Sequence, residues 1–243
     1  MKFSNHLIRL SLMFFLVNLV LNAQQEEKKI IKIIQAGSST QNELKFPGAN
    51  ILTKNANTRV HLFHEGALIR SDISYFYPKK NFFTAKGNVI FTQGDSLRMT
   101  CDYIEYDGEK KIAFARGNVF LERPDMTLNT DSLKLDRLKS KAYYETGGTI
   151  RDEETKLTSR TGIYFIDQKK YRFVDRVNLY DPEYSMQSIK LDYFTELNKA
   201  FFEGKTKIIG QDYLILCEKG NYNTKLQKGS FQKNAIIFYD NKE

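Results

Sequence analysis

The stretch that decides the fold is Ala85-Lys86-Gly87-Asn88-Val89-Ile90-Phe91, because it returns thirty residues later as Ala115-Arg116-Gly117-Asn118-Val119-Phe120-Leu121. The same phase extends in both directions through Val60, Val89, Val119, Thr149, Val177, Thr206 and Ala235, at spacings of 28 to 30 residues. Two residues further on stand Leu62, Phe91, Leu121, Arg151, Leu179, Ile208 and Ile237, apolar in six of seven cases. Four residues before the phase point come Ala85, Ala115, Glu145, Phe173, Phe202 and Phe231, and a polar column runs Asp72, Asp102, Asp131, Arg160, Ser188 and Glu218. Self-similarity at a fixed period of this length marks a repeat architecture, in which one unit cannot bury its apolar face alone and neighbours must stack.

Each copy reads as strands. Leu97-Arg98-Met99-Thr100, Ile104-Glu105-Tyr106, Leu133-Lys134-Leu135 and Ile189-Lys190-Leu191 alternate apolar and polar at period two, the mark of a half-buried strand. Asp107-Gly108, Lys79-Lys80-Asn81, Asp167-Gln168-Lys169-Lys170 and Leu197-Asn198-Lys199 punctuate them as turns. No amphipathic helix follows the N-terminal segment. The expectation is an all-β chain, an elongated β-jelly roll or β-solenoid of about seven ~29-residue repeats, with an apolar interior and two ends whose unpaired strands recruit other strands unless blocked. The composition agrees: 18 Phe, 14 Tyr, no Trp and only 4 Pro favour strands.

The N-terminus reads differently. Lys2 and Arg9 precede a twelve-residue apolar run, 10–21, that closes on Asn22-Ala23. That is the layout of a secretory signal peptide, and the run is shorter than the ~20 residues a spanning helix needs. The expected organisation is therefore a signal peptide at 1–23 and a repeat domain at 24–243, with export to an oxidising compartment. Cleavage after Ala23 removes Lys2 and Arg9 and no acid, which lowers the net charge from +8 to +6. A basic excess of this size suits an anionic partner.

Several motifs suggest chemistry and fail on inspection. Gly94-Asp95-Ser96-Leu97 matches the opening block of GDSL-type esterases, but a serine nucleophile needs a general base, and His6, His61 and His64 all precede Ser96. A turn between two strands is the better reading. His61 and His64, three apart, fall on opposite faces of a strand, which suits a solvated edge rather than a shared metal. Asp72, Asp102 and Asp131 recur without a paired acid, which fits ladder and turn roles rather than acid–base work. Lys169-Lys170-Tyr171-Arg172-Phe173 interleaves cations and rings as a nucleic-acid platform does, yet an exported chain meets no nucleic acid and a solvated strand face explains it. Cys101 and Cys217 lie four repeats apart; at ~4.8 Å or more per repeat they are at least roughly 19 Å apart, beyond the ~7 Å a disulfide allows, so both are expected as free, buried thiols. No catalytic residue, metal site or cofactor emerges, and the chain reads as a non-enzyme.

A family likeness rests on particular residues. Gly94-Asp95-Ser96-Leu97, Asp102-Tyr103-Ile104-Glu105-Tyr106-Asp107 and Gly117-Asn118-Val119 resemble the OstA-like family, the organic-solvent-tolerance, LptA-type group of lipopolysaccharide transport. Leu128-Asn129-Thr130-Asp131-Ser132-Leu133, Ala142-Tyr143-Tyr144-Glu145-Thr146-Gly147-Gly148 and Leu157-Thr158-Ser159-Arg160 with Gly162-Ile163-Tyr164 continue the likeness, which covers roughly residues 30 to 240. The resemblance implies a twisted β-jelly roll in the periplasm that holds lipopolysaccharide acyl chains in an apolar groove. It also implies edge-to-edge strand contacts with itself or with other OstA-like components, in a bridge between the two membranes. Membrane contact would come only through partner proteins. On that reading Val60, Leu62, Val89, Phe91, Leu97, Met99, Val119, Leu121, Leu133 and Leu135 face inward onto lipid, although the same columns equally fit a closed core. The small residues Ala85, Gly87, Ala115 and Gly117 would widen the interior and Phe173, Phe202 and Phe231 fill it, which places the open part in the N-terminal half. The rival from another class is a secreted β-solenoid adhesin or carbohydrate-binding protein; a membrane barrel is disfavoured by its short strands and scattered charges.

Overall fold

A computed structural model describes residues 30–95, 97–223, 225–226 and 228–239. The signal-peptide segment and Ser96 lie outside the described residues. Within them, twenty strands form one antiparallel sheet. Six short strands come first: β1 Lys32–Gln35, β2 Ser38–Gln41, β3 Asn50–Thr53, β4 Val60–His64, β5 Ala67–Ser71 and β6 Ile73–Tyr77. Four long ones follow, β7 Phe82–Gln93, β8 Leu97–Asp107, β9 Ile112–Arg123 and β10 Met126–Asp136. The repeat then breaks into β11 Lys141–Tyr144, β12 Gly148–Arg151, β13 Lys156–Ser159 and β14 Thr161–Phe165. Long strands resume with β15 Lys170–Tyr180, β16 Tyr184–Phe194, β17 Lys199–Gly210 and β18 Tyr213–Asn223, and β19 Lys228–Gln232 and β20 Ile236–Tyr239 end the sheet.

Long strands are bent at mid-length. The first half of β7 pairs with β6 and the second half with β5, and the register against β8 shifts between Lys86 and Val89. Equivalent shifts fall between Val174 and Val177 and between Glu203 and Thr206. One line of corners therefore folds the sheet lengthwise into two walls. The first wall holds β1, β4, β5, the second half of β7, the first half of β8, and so on to β20. The second wall holds β2, β3, β6 and the complementary halves, and ends at β19.

The recurrent columns are the parts of this corner. Gly87 and Asn88 have φ of +78° and +47°, and Gly117 and Asn118 of +73° and +47°. Two successive left-handed residues turn the strand; Gly carries no Cβ penalty there, and Asn tolerates the region better than most. The Asn88 amide donates to Asp72 Oδ2 at 2.9 Å, Asn118 to Asp102 at 2.7 Å and Asn234 to Glu218 at 3.2 Å, each joining one strand's corner to the previous strand's. The acidic column is thus a structural ladder along the ridge. Gly87 and Gly117 serve the corner rather than widening the interior. A Cβ on Gly117 would stand 2.5 Å from Asp102 Oδ2.

Inside the corner, Val60, Leu62, Val89, Val119 and Val177 are fully buried and hold the two walls together. Cys101 and Cys217 are free and buried, each one residue before its corner acid, as the repeat places them. At the two ends of the stack, β1 and β2, and β19 and β20, each pair on one side only among the described residues. Those ends expose Ile33, Ile34, Ile236, Phe238 and Tyr239.

Candidate functional site: an apolar cavity between the walls

Midway along the stack the walls separate around a cavity of about 230 Å³. The first wall contributes Phe91, Leu97, Met99, Leu121, Met126, Leu128 and Ile150. The second contributes Ala113, Ala115, Leu133, Leu135, Ala142, Tyr144, Gly162, Ile163, Tyr164, Tyr171 and Phe173. Space opens because Ala113, Ala115, Ala142 and Gly162 occupy inward positions that hold larger groups elsewhere, while facing side chains on the first wall do not grow to compensate. An apolar lining of this kind suits apolar ligands.

Tyr144 sets part of the lining. Its ring lies against Gly148 and Gly162, where a Cβ on either glycine would collide with it, and its hydroxyl shares a 2.7 Å hydrogen bond with Ser159 Oγ. Burial raises the Tyr144 hydroxyl above its ordinary pKa despite that bond, so it remains neutral in the physiological range. Tyr171 is pushed up to about 12, by burial first and then by Tyr164 and Asp125. Among the described residues one cation reaches the lining: Arg123, whose guanidinium stands 5.9 Å over the Tyr164 ring and whose Nε lies 3.3 Å from Asp125 Oδ1. Because Arg123 belongs to the first wall and Tyr164 to the second, this contact crosses between the free edges of the walls, opposite the corner.

Toward the N-terminal end those free edges are clasped. Glu65, in the turn between β4 and β5, accepts from Arg137 at 2.9 Å and from Lys111 at 3.4 Å, both on the second wall. Beside it His64 Nδ1 and the Tyr106 hydroxyl share a 2.8 Å hydrogen bond, with Arg137 at 3.4 Å from the same hydroxyl. His64 is therefore a buried member of a polar plug, not a residue of a solvated edge. The burial pattern BiBiB of β4 does place His61 and His64 on opposite faces, and among the described residues no His, Cys, Asp and Glu cluster suits a metal.

Of the ten inward residues expected from sequence, Phe91, Leu97, Met99, Leu121, Leu133 and Leu135 line the cavity. Val60, Leu62, Val89 and Val119 belong instead to the closed core beside the corner. The open part lies at the centre of the stack, not in its N-terminal half, where Phe83, Ile104 and Tyr106 fill the interior around Ala85. Sequence reading missed Met126, Leu128, Ile150, Ile163 and Tyr164; period-two alternation in Met126-Thr127-Leu128 would have found the first two. Tyr171 and Phe173, in the Lys-aromatic run, point inward, while Arg172 is held on the outside by Asp192 in two bonds of 2.7 and 2.6 Å. Gly94 and Asp95 form the turn after β7, with Gly94 at φ +57°.

Comparison with known proteins agrees with this architecture. The family model described as OstA-like protein matches residues 28–189, two thirds of the chain. A crystal structure of LptH, the LptA-homologous periplasmic component of the lipopolysaccharide transport device from Pseudomonas aeruginosa, is similar at 19% identity and a TM-score of 0.38, over 41% of this chain and 76% of its own. At that distance the likeness adds no argument to the family match. No curated protein matches the chain.

Proposed function

The chain belongs to the OstA-like family, and from that premise we propose that it is a non-enzymatic periplasmic carrier of lipopolysaccharide, shielding acyl chains on their way between inner and outer membrane. The observation that carries the reading is the apolar cavity between the walls, with Arg123 at its lining. Buried methylenes contribute about 0.8 kcal/mol each, and a guanidinium is suited to a phosphate at the rim. Phe91, Leu97, Met99, Leu121, Leu133 and Leu135 are the residues proposed to touch the chains. Val60, Leu62, Val89 and Val119 close the core behind them. Residues 1–23 are proposed to act as the export signal and 24–243 as the mature carrier.

The ends of the stack support a bridge role. Among the described residues β1, β2, β19 and β20 offer unpaired edges and exposed apolar side chains, so a second copy or another OstA-like component can continue the sheet in register. Contact with either membrane then comes through such partners.

Purification from the native envelope tests the proposal. Lipopolysaccharide is expected to co-purify with the wild-type chain and to be lost from Leu121→Asp, whose carboxylate would sit in the cavity, but not from Glu122→Gln, which changes the outer face. Depletion is expected to lower surface lipopolysaccharide. Binding of soluble glycans with no lipid recovered would overturn the reading in favour of an adhesin. N-terminal sequencing of the exported protein is expected to begin at Gln24.

A further inference from the structure

The C-terminal end of the stack holds a second cavity, also about 230 Å³. It shares no lining residue with the central one, and Leu191 and Phe202, 2% and 1% exposed, fill the interior between them. Its chemistry differs. Tyr184, Tyr213, Tyr222, Tyr239 and Phe231 make half of the lining, over an aliphatic floor that includes Met186, Ile208 and Ile237. The Tyr184 and Tyr222 rings meet edge to face, with centroids 5.9 Å apart. The hydroxyls of Tyr184, Tyr213 and Tyr222 make no hydrogen bond to another described residue.

Among the described residues no cation lines this cavity. The nearby charge comes from the turn between β15 and β16: Asp181 and Glu183 add to burial in raising the Tyr213 and Tyr222 hydroxyls, and Asp181 does so for Tyr184. Lys225 and Lys228, beyond the end of β18, are exposed and line none of it. Ring faces carry negative potential and attract organic cations, and the 181–183 turn that leads directly into lining residue Tyr184 adds carboxylates that repel anions. Arg123 in the central cavity presents the opposite preference.

We propose that the C-terminal cavity is a second binding site, for an amphiphile with an alkylammonium head, its chain on the Met186–Ile208–Ile237 floor and its cation among the tyrosines beside Asp181 and Glu183. The site is independent of the central cavity and stands or falls separately from the lipopolysaccharide reading.

The absence of Trp from the sequence allows a clean test. In the full exported chain, Phe231→Trp places a single tryptophan in this cavity. Its emission, followed below the micellar concentration, is expected to report decyltrimethylammonium binding at least tenfold tighter than decanoate. Adding Tyr222→Leu should weaken the ammonium by fivefold or more, and adding Ala115→Phe, which fills the central cavity, should leave it unchanged. Decanoate binding as tightly as the ammonium, indifference to Tyr222→Leu, loss with Ala115→Phe, or no binding of either probe would each overturn the proposal. If Phe231→Trp loses its strand circular dichroism, Tyr239→Trp on the edge strand gives the same readout with the same deciding outcomes.

Discussion

A chain-length series probes the central cavity most directly. Its volume is about 230 Å³. An apolar cavity of ~150 Å³ takes the six carbons of benzene, so by proportion this one holds about nine. Each methylene transferred from water adds about 0.8 kcal/mol, or close to fourfold in affinity. Nine of them give roughly 7 kcal/mol gross, of which association removes at least ~4, leaving binding near the millimolar range before Arg123 contributes. Fatty acids from six to fourteen carbons suit that guanidinium. Titration calorimetry, taken as the binding that Ala115→Phe abolishes, is expected to show affinity rising about fourfold per carbon to about nine carbons and flat beyond. A rise continuing at the same slope to fourteen carbons would refute a cavity of this limited volume and show that chains run on through the stack. Independence of chain length would refute apolar filling altogether.

Gly117→Ala should cost about 2–3 kcal/mol, combining a left-handed backbone with displacement of the Asp102 carboxylate, whereas Gly94→Ala, with open space around it, should cost only about 1; equal urea midpoints for the two would show that the corner does not depend on that contact. Glu65→Gln removes the carboxylate that Arg137 and Lys111 share across the clasp and should cost about 1–2 kcal/mol after allowance for their partial exposure. Hydrogen exchange should then speed up in β4, β5 and β8 while β17 and β18 keep their rates, and a uniform change would count against a local clasp. The Cys101 thiol is pushed up to about 12, by burial first and then by Asp102, and burial raises Cys217 as well; iodoacetamide at pH 8 should modify neither in the native chain and both in denaturant, with rapid native labelling as the contrary result. Asp72 and Asp192 sit below the usual carboxylate pKa because hydrogen bonds from Lys54 and Asn88, and from Arg172, outweigh the burial that would raise them. Their stabilisation is present above the unfolded value near ~3.9 and is lost as pH falls through the lower folded values, so a melting temperature unchanged from pH 5 to 2 would contradict it.

The repeat, the strands and the inward columns were legible because their cause is local and periodic. A pleated strand presents alternate side chains to one face, and a corner that needs two left-handed residues writes Gly-Asn into the chain at 87–88 and 117–118, although Asp175-Arg176 and Lys233-Asn234 make the same turn without glycine. What the columns could not reveal is how far apart the walls stand at each level. Val89 and Phe91 occupy the same strand two residues apart, with identical inward direction, yet one is locked in the core and the other borders the cavity. The difference is which side chains stand opposite at each level of the stack, a property of the folded sheet: Leu62, paired in line with Phe91 through Ile69, is closed in the core. His64 escaped for the same reason: its plug partners Tyr106 and Arg137 lie 42 and 73 residues away, on the opposite wall.

The site lies where the period fails. From residue 141 to 165 the two long strands of a repeat are replaced by four short ones, and the phase columns carry Glu145, Thr149 and Arg151 in place of apolar residues. There Gly148 and Gly162 flank the Tyr144 ring, and Ala142 stands on the inner face beside it. A regular repeat would continue the core, because each unit is selected to fill the space its neighbours leave. Smaller inner side chains at one level empty that space without unpairing the sheet, since β11 and β12 still bond to β10 and β13 to β15. The residues that break the period therefore widen a cavity whose other walls are periodic residues such as Phe91, Ala115, Leu121 and Phe173. The same logic holds at the C-terminal end, where Tyr184 and Tyr213 stand at the inward position that Leu97 holds in β8. In a stack whose walls are joined along one corner line, a ligand is admitted by changing which residues face inward, with the backbone ladder left intact.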